Sequence, residues 1–269
     1  MKYKMIVTDL DDTLLNSQGK ISAEDKKAIM EAQEAGIKFV LASGRPTYAM
    51  RDLANELHLE KYGSFILSYN GSIITDCKTN KNILEETLTV DEIHKLYDFS
   101  QKKNVEIITY LEDTIVSEDY SSYIEVEVDL TKMPFEKVKS FKTTIDRNCV
   151  KCIMLEDPVY LSKVEKELKK ELGKDFSIAI SKPFFLEVTK LGIDKGSSLL
   201  KLAKLNGITM DEVIVVGDSY NDLPMLKVAG LPACVENAKP EIKEICKFIS
   251  TSNNNNGMAN LINKLIFKK

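Results

Sequence analysis

Short apolar runs alternate with amphipathic stretches in the N-terminal part of the chain. The first run, residues 3–7, has the length of a buried strand, and residues 22–36 then carry apolar side chains at helical spacing. A second apolar run covers 37–42, and Pro46 suits the first turn of a helix that extends to about residue 57. This alternation of strands and helices predicts a parallel sheet covered by helices.

A third strand and a long insertion follow. Residues 65–67 are apolar and lead into Tyr69-Asn70-Gly71, where Asn-Gly favours the positive φ angles of a tight turn and a hairpin-like return. From 84 to 183 the pattern becomes a mixture of helical and alternating segments, which is typical of an α+β domain. It includes an amphipathic stretch at 90–103 and a helix that begins at Pro158. Alternation of helix and strand resumes after this segment and includes the apolar run 213–216.

The predicted fold is therefore α/β, with a doubly wound, Rossmann-like parallel-sheet core that is interrupted by an α+β domain. The core comprises residues 1–83 and 184–269, and the inserted domain comprises residues 84–183. In open sheets of this kind, ligands bind beyond the carboxyl ends of the strands. The residues that follow each predicted strand are therefore the candidates for a functional site.

Four carboxylates follow two of the predicted strands. Asp9 and Asp11 come directly after the first strand, and Asp218 and Asp222 follow the strand at 213–216. By itself, Asp-x-Asp-x-Thr favours a solvated acidic turn. Strands of one parallel sheet would bring all four carboxylates together, however, and such a cluster needs a cation to remain ionised. Mg²⁺ fits, because it takes oxygen ligands and is commonly held by carboxylates and a substrate phosphate.

Donors for a phosphate group stand at corresponding positions. The Ser43 hydroxyl and the Gly44 amide follow the second strand, with Gly44 at the predicted start of a helix, and Asn221 lies in the late acidic segment. Lys195 opens a predicted helix, where a surface lysine would meet an unfavourable helix dipole. This position favours a functional lysine over a solvated one, and all four residues are predicted to bind phosphate.

The composition narrows the range of partners. The chain has 269 residues and a formal net charge of −4, so nucleic acid or an anionic membrane is an unfavourable partner. It contains no run of about 18 apolar residues that would span a membrane, and acidic residues occupy positions where a signal peptide would be apolar. We therefore expect a cytoplasmic protein without nucleic acid or membrane partners, and the sequence leaves its oligomeric state open.

The five cysteines are expected to be reduced thiols. Their number is odd, and most of them lie in apolar runs, where cysteine packs as a small hydrophobic residue. Cys149 and Cys152 have the spacing of a redox or zinc motif, but no second pair and no nearby histidine completes a zinc site. A buried strand is therefore the favoured interpretation of this segment.

The order of these motifs resembles that of haloacid dehalogenase-like (HAD) phosphatases, and the resemblance covers essentially the whole chain. The inserted domain is similar to the α/β (C2-type) cap of the Cof-type branch. A small departure is Asp12, where many relatives carry glycine. The resemblance rests on four segments in the same order: Asp9-x-Asp11-x-Thr13, Ser43-Gly44-Arg45, Lys195-Gly196 and Gly217-Asp218-x-x-Asn221-Asp222.

The resemblance implies a two-step mechanism. Asp9 would be the nucleophile that attacks phosphorus and forms an aspartyl-phosphate. Asp11 would protonate the leaving alcohol and would then act as the base that activates water. Mg²⁺ would be bound by Asp9, the main-chain carbonyl of Asp11 and Asp218, with Asp222 in a supporting position. The phosphoryl oxygens would be held by residues already identified as donors: Ser43, Lys195 and Asn221.

We therefore predict a Mg²⁺-dependent phosphomonoester hydrolase that acts on small phosphometabolites, such as sugar phosphates or phosphorylated cofactors. One alternative is a phosphomutase of the same superfamily, which would return the phosphate to the sugar. Another is a phospho-accepting signalling module, although such modules lack an acid at the position of Asp11 and a large inserted domain. A catalytically inactive binding protein is a third alternative, which the complete set of motif residues disfavours.

Overall fold

The strands form two separate sheets. The computed structural model describes residues 2–268. Its strands are β1 (Met5–Thr8), β2 (Lys38–Ala42), β3 (Phe65–Ser68), β4 (Ile73–Asp76), β5 (Lys81–Glu85), β6 (Glu106–Leu111), β7 (Thr114–Ser117), β8 (Phe135–Lys137), β9 (Lys151–Leu155), β10 (Phe176–Lys182), β11 (Phe185–Lys190), β12 (Val213–Gly217), β13 (Leu231–Cys234) and β14 (Phe248–Ile249).

The helices lie between these strands. They are α1 (Ala23–Glu34), α2 (Arg51–Glu56), α3 (Leu59–Tyr62), α4 (Val90–Lys103), α5 (Ser122–Thr131), α6 (Phe141–Thr144), α7 (Pro158–Leu172), α8 (Lys195–Leu205), α9 (Leu223–Val228), α10 (Pro240–Ile245) and α11 (Gly257–Ile262). Short 3₁₀ or π turns cover Leu10–Leu14, Tyr48–Met50, Tyr69–Gly71, Met210–Glu212, Tyr220–Asp222 and Asn263–Phe267. Within residues 2–268, no helix is both long and apolar enough to cross a lipid bilayer.

The chain divides into two compact units. The first unit comprises the described residues up to Leu84 together with those from Asp194 onward, and the second comprises Glu85–Ile193. The sheet of the first unit has the strand order β14-β13-β12-β1-β2-β3-β4-β5. From β14 to β3 neighbouring strands are parallel, and β4 runs antiparallel to β3. The predicted α/β class with a parallel-sheet core is confirmed.

Helices cover both faces of the first sheet. Because side chains alternate along a strand, Ile6 packs in a cluster with residues of α1 and α11. Met5 and Val7 point to the other face and pack with residues of α8, α9 and α10. These strands are apolar throughout because both of their faces are buried. The polar residues of β1, β2 and β3 therefore stand at the ends of these strands.

The second unit has its own sheet and its own core. The strand order is β10-β11-β9-β6-β7-β8, and most neighbours are antiparallel. Side chains of α4 and α7 pack against one face of this sheet in a single apolar cluster. Cys152 lies in β9, Cys149 pairs with Leu88 in an isolated bridge, and both thiols are free and buried. The Cys149–Cys152 segment is thus a buried sheet segment.

The chain returns to the first unit later than the sequence indicates. The predicted boundary between residues 183 and 184 falls within the antiparallel pair of β10 and β11. β11 also pairs with β9, so it completes the second sheet rather than beginning the return. The crossing lies at Asp194, immediately before α8. Because a hairpin keeps its second strand beside its first, the boundary at residue 184 is corrected to residue 194.

The helix expected from Pro46 to about residue 57 is present after β2. The carbonyl of Pro46 accepts from the N–H of Ala49 at 3.1 Å, and the turn Tyr48–Met50 continues directly into α2, which ends at Glu56. Before this helix, the main-chain N–H of Tyr69 donates to the carbonyl of Arg45 at 3.0 Å, which ties the loop after β2 to the turn after β3.

Candidate active site

Three neighbouring strands carry polar residues to one edge of the first sheet. β1 lies between β2 and β12, and all three strands are parallel, so their carboxyl ends meet at the same edge. Asp9 follows β1, Ser43 follows β2 and Asp218 follows β12. The main-chain N–H of Asp9 donates to the carbonyl of Val216 at 2.9 Å, so the pairing with β12 continues as far as this carboxylate.

Lys195 is buried between two carboxylates. Asp194 caps α8 by accepting a hydrogen bond from the main-chain N–H of Ser197 at 2.7 Å, which places Lys195 in the first turn. The Lys195 Nζ lies 2.6 Å from Asp9 Oδ1 and 2.7 Å from Asp222 Oδ1, and the lysine is fully buried. These two ion pairs compensate for a positive charge at a helix N-terminus and for its removal from water.

Asp222 organises the loop that follows β12. Its Oδ2 accepts hydrogen bonds from the main-chain N–H groups of Asp218 at 3.0 Å and Ser219 at 3.1 Å, while its Oδ1 accepts from Lys195. Position 217 has to be glycine, because a Cβ there would lie 2.6 Å from the Asp222 Cβ. Both carboxylate oxygens of Asp222 are thus engaged by protein groups, which favours a supporting role over direct coordination of a metal.

Asp218 is joined to the turn after β1. The Thr13 hydroxyl donates to Asp218 Oδ1 at 2.9 Å, and this bond links the Leu10–Leu14 turn to the loop after β12. Burial raises the pKa of Asp218 to about 6, while the Thr13 hydrogen bond lowers it and the charge of Asp222 raises it further. The Asp218 carboxylate is only partly buried, so it is the most accessible of the carboxylates that face one another here.

The cluster carries more negative than positive charge. Burial raises the pKa of Asp9 to about 7 despite the opposing charge of Lys195, and the charges of Asp222 and Asp218 add to the rise. For Lys195, burial lowers the pKa, but the charges of Asp9 and Asp222 outweigh this effect and hold the pKa above its usual value. One ammonium group therefore faces three carboxylates, and an additional cation would relieve their repulsion.

The donor set fits a hard divalent cation. Three carboxylate oxygens lie within 4.8 Å of one another, one from each of Asp9, Asp218 and Asp222. The ligand oxygens of octahedral Mg²⁺ are separated by about 3 to 4.2 Å, because each lies about 2.1 Å from the ion. Since both oxygens of Asp222 already accept hydrogen bonds from the protein, Asp9 and Asp218 are the side chains best placed to hold Mg²⁺.

The Asp11 side chain lies apart from this cluster, in contrast to the expectation that four carboxylates converge. Its oxygens form a bidentate ion pair with Arg45, with distances of 3.0 Å from Nε to Oδ2 and 2.5 Å from Nη2 to Oδ1. The side chain is 58% exposed. Arg45 offers Asp11 a planar pair of donors, whereas the neighbouring carboxylates would repel it.

The loop after β2 presents Ser43 and Gly44. Ser43 is buried, its hydroxyl accepts from the main-chain N–H of Arg45 at 3.2 Å, and its carbonyl accepts from the N–H of Asn70 at 2.9 Å. Gly44 lies in a bend two residues before Pro46, whose carbonyl accepts the first hydrogen bond of the helix. The Gly44 amide thus stands just ahead of the predicted helix start.

Asn221 occupies the outer side of the late acidic loop. It lies in the short turn Tyr220–Asp222, and its side chain is exposed, whereas Asp222 beside it is fully buried. No role was predicted for Thr13 or Arg45, although each stands within one of the four motifs. Their position three or fewer residues from a candidate carboxylate or hydroxyl is the signal that could have identified them.

Comparison with known proteins identifies the family. The model of the haloacid dehalogenase-like hydrolase family matches residues 6–262. The chain belongs to the haloacid dehalogenase-like hydrolases. A solved structure of a haloacid dehalogenase-like hydrolase from Bacteroides thetaiotaomicron is 38% identical, has a TM-score of 0.93 and covers 98% of this chain and 100% of its own.

Several curated relatives of this HAD-like hydrolase are named as phosphatases. The 5-amino-6-(5-phospho-D-ribitylamino)uracil phosphatase YcsE of Bacillus subtilis (strain 168) is 33% identical over 260 residues, which cover 96% of this chain and 94% of the relative. YwtE, a phosphatase of the same name from the same organism, is 31% identical over 289 residues and covers 98% of both chains. The predicted superfamily and the predicted enzyme class, an HAD-like phosphatase, are confirmed.

Proposed function

We propose that this HAD-like phosphatase is a Mg²⁺-dependent phosphomonoesterase that works through an aspartyl-phosphate at Asp9. The observation that carries the proposal is the buried pair of Asp9 and Lys195, which lies at the carboxyl end of the central strand β1 beside Asp218. Lys195 holds Oδ1 of Asp9, so Oδ2 is the oxygen left to attack phosphorus. Burial strips water from this carboxylate and makes it a better nucleophile.

In the first step a bond forms between the Asp9 carboxylate and phosphorus while the bond from phosphorus to the alcohol oxygen breaks. Asp11, on the turn directly after Asp9, donates the proton that the leaving alcohol takes up. For this role Asp11 has to exchange its pairing with Arg45 for contact with the leaving oxygen. In the second step Asp11 accepts a proton from water, which attacks phosphorus and releases Asp9.

The remaining residues bind and neutralise the phosphate group. Lys195 supplies a fixed positive charge, and Ser43, Gly44 and Asn221 supply hydrogen-bond donors around it. Mg²⁺, held by Asp9, Asp218 and the main-chain carbonyl of Asp11, would neutralise charge on the phosphoryl oxygens when bound. Asp222 keeps Lys195 and the Asp218 loop in place through its hydrogen bonds.

The substrate that we propose is a small phosphomonoester of a polyhydroxylated alcohol, such as a sugar phosphate or a phosphorylated cofactor precursor. Two relatives at 31% and 33% identity are named for a phosphate ester on a ribityl chain attached to a uracil. The described cysteines are free thiols, which fits the reducing cytoplasm in which we place the enzyme.

Phosphate release from a panel of phosphomonoesters, measured with and without Mg²⁺, tests this function. The panel contains sugar phosphates, the ribitylaminouracil phosphate and p-nitrophenyl phosphate. We expect Mg²⁺-dependent release, which Asp9→Asn reduces by about a thousandfold or more. Asp12→Asn is the matched control, because Asp12 is exposed on the same turn and asparagine tolerates its φ of 58°.

Three results would change the assignment. Full Mg²⁺-dependent turnover by Asp9→Asn would show that Asp9 is not the nucleophile. Transfer of the phosphate to another hydroxyl of the sugar, without release, would indicate a phosphomutase. Equal turnover with and without Mg²⁺, after removal of bound metal by a chelator, would exclude the proposed cofactor.

A further inference from the structure

The turn Tyr69–Gly71, which follows β3, has an unusual backbone conformation. Its three residues have φ angles of 51°, 54° and 102°, so all of them lie in the left-handed region. Gly71 cannot be replaced there without movement, because a Cβ would lie 2.6 Å from the carbonyl oxygen of Asp194 and 2.8 Å from the Ser198 hydroxyl. The surrounding structure therefore determines the conformation of this turn.

The turn is held from two sides by segments that carry proposed phosphate ligands. On one side, the N–H of Asn70 donates to the carbonyl of Ser43 at 2.9 Å. On the other side, the Ser198 hydroxyl donates to the carbonyl of Gly71 at 2.7 Å, and Ser198 lies in the same helix turn as Lys195. The turn thus lies between the Ser43 loop and the start of α8.

The Asn70 side chain lies next to Gly44, and its Oδ1 accepts no hydrogen bond from the described part of the chain. Its amide packs against Gly44, where a Cβ would lie 3.1 Å from Nδ2 and 3.3 Å from Oδ1. Across residues 2–268, the buried Oδ1 atom finds no hydrogen-bond partner. Oδ1 is an acceptor and cannot bind an anion, so Nδ2 is the atom of this amide that can donate a hydrogen bond to one. Asn70 as a whole is only half-buried, so part of its side chain remains accessible.

We propose that the side-chain amide of Asn70 binds the phosphate group of the substrate, next to Ser43 and Gly44, by donating a hydrogen bond to a phosphoryl oxygen. This inference rests on the proposed function, since it adds a contact to the same site. The amide lies close to Gly44, and the backbone of Asn70 is tied to the carbonyl of Ser43, so this residue is in place before the substrate arrives. Such preorganisation reduces the entropy lost on binding.

If Asn70 served only to hold the backbone of the turn, Asn70→Gly would leave phosphate binding unchanged. Asparagine tolerates the left-handed region better than most residues, so it could occur here for its backbone alone. Asn70→Gly removes the amide and keeps the left-handed conformation accessible. Asn104→Gly is the matched control, because Asn104 has a φ of 51° at the C-terminus of α4 in the second unit.

Two readouts test the contact, with inorganic phosphate and p-nitrophenyl phosphate as probes. In the presence of Mg²⁺, we expect Asn70→Gly to weaken binding of inorganic phosphate about tenfold in titration calorimetry and to raise KM by a similar factor, with a smaller effect on kcat. Its thermal midpoint should not fall. Asn70→Asp should weaken phosphate binding more, because its carboxylate repels the anion. Asn104→Gly should leave both quantities unchanged.

The inference is overturned if Asn70→Gly changes neither the phosphate affinity nor KM. This outcome leaves the proposed function intact when the wild-type protein still releases phosphate in a Mg²⁺-dependent way. The proposed function can also fail while the Asn70 contact stands. This is the result if the wild-type protein hydrolyses no phosphomonoester but Asn70→Gly still weakens its binding of inorganic phosphate.

Discussion

Lys195 is the residue on which the charge of the site depends. It is fully buried, and it is the ammonium group that pairs directly with both Asp9 and Asp222. Removing one partner from a buried ion pair is strongly destabilising, because the remaining charge is left without compensation. Here two carboxylates would lose their partner at once. A divalent cation bound by neighbouring carboxylates would supply part of the missing positive charge.

We predict that Lys195→Met lowers the free energy of unfolding by about 3 kcal/mol or more without divalent cations. Saturating Mg²⁺ should restore more stability to this variant than it adds to the wild-type protein. Urea denaturation with and without Mg²⁺ measures both effects. Lys204→Met, an exposed position of the same helix, is the control and should change little. A loss no larger than that of the control, or no additional effect of Mg²⁺, would contradict this account of the charge balance.

At the residue scale, the sequence indicates which groups gather but not how they pair. The positions of Asp9, Ser43 and Asp218 follow from strand ends, since parallel neighbours share an edge. The pairing of Asp11 with Arg45 could not be predicted, because it depends on side-chain directions in two loops. The lack of a hydrogen-bond partner for Asn70 Oδ1 among residues 2–268 could not be predicted either, because the sequence identifies the turn but not the contacts of the Asn70 side chain.

At the scale of elements, a buried carboxylate joins α1 to α11. The Ser22 hydroxyl caps α1 by accepting a hydrogen bond from the main-chain N–H of Asp25 at 3.0 Å. The Asp25 carboxylate, however, accepts from the N–H of Ala259 in α11 at 2.7 Å and is almost fully buried. Burial raises the pKa of Asp25 above its usual value, although its hydrogen bonds from Ala259 and Ser22 oppose this rise.

The raised pKa of Asp25 predicts a pH-dependent contribution to stability. The unfolded chain loses this proton near pH 4, whereas the folded protein retains it to higher pH. The folded state therefore binds more protons in this window, and the contribution of Asp25 falls as the pH rises through it. Asp25→Asn resembles the protonated form and keeps an acceptor for Ala259.

We expect Asp25→Asn to be more stable relative to the wild-type protein at pH 7 than at pH 4, which means a larger relative free energy of unfolding at pH 7. Urea denaturation at the two pH values measures this difference. Glu24→Gln, an exposed neighbour on the same helix, should show a much smaller change. A relative stability of Asp25→Asn that does not depend on pH would refute the prediction.

Elements were predictable where a local signal marks their ends. α4 spans its predicted residues because Thr89 and Glu92 form a capping box, and α7 begins as predicted at Pro158. The helix predicted from Pro46 also begins there, since the carbonyl of Pro46 accepts from the N–H of Ala49 at 3.1 Å. The pairing of β11 with β10 and β9 was not predictable in this way, because hydrogen bonds between strands leave no local signal.

At the scale of the whole molecule, all the proposed site residues belong to the first unit. The second unit is one continuous segment, Glu85–Ile193, with its own sheet and its own apolar cluster. A segment with these properties has what a domain needs to fold independently. The sequence indicated the insertion because its pattern changes from parallel-sheet alternation to mixed segments. It placed the end too early, at Pro183, because that turn joins β10 to β11 within one hairpin and does not lead back to the first unit.

We predict that the isolated segment 85–193 unfolds cooperatively. The first unit, with residues 84 and 194 joined by a short flexible linker, should retain Mg²⁺-dependent binding of inorganic phosphate. Urea denaturation followed by circular dichroism tests the first expectation, and titration calorimetry tests the second. Gradual, non-cooperative unfolding of the segment would contradict the independence of the second unit. Loss of phosphate binding by a folded first unit would show that the site is incomplete without the second unit.

The central claim is that Asp9 becomes phosphorylated during turnover. Borohydride reduces an acyl-phosphate to an alcohol, so trapping followed by peptide mass spectrometry locates the carboxylate that carried the phosphate. Asp11→Asn, mixed with Mg²⁺ and p-nitrophenyl phosphate, should accumulate the intermediate, because this leaving group needs little protonation whereas attack by water still needs the base. The account predicts reduction at position 9. Reduction at another carboxylate, or a variant that turns over with no trapped residue, would contradict it.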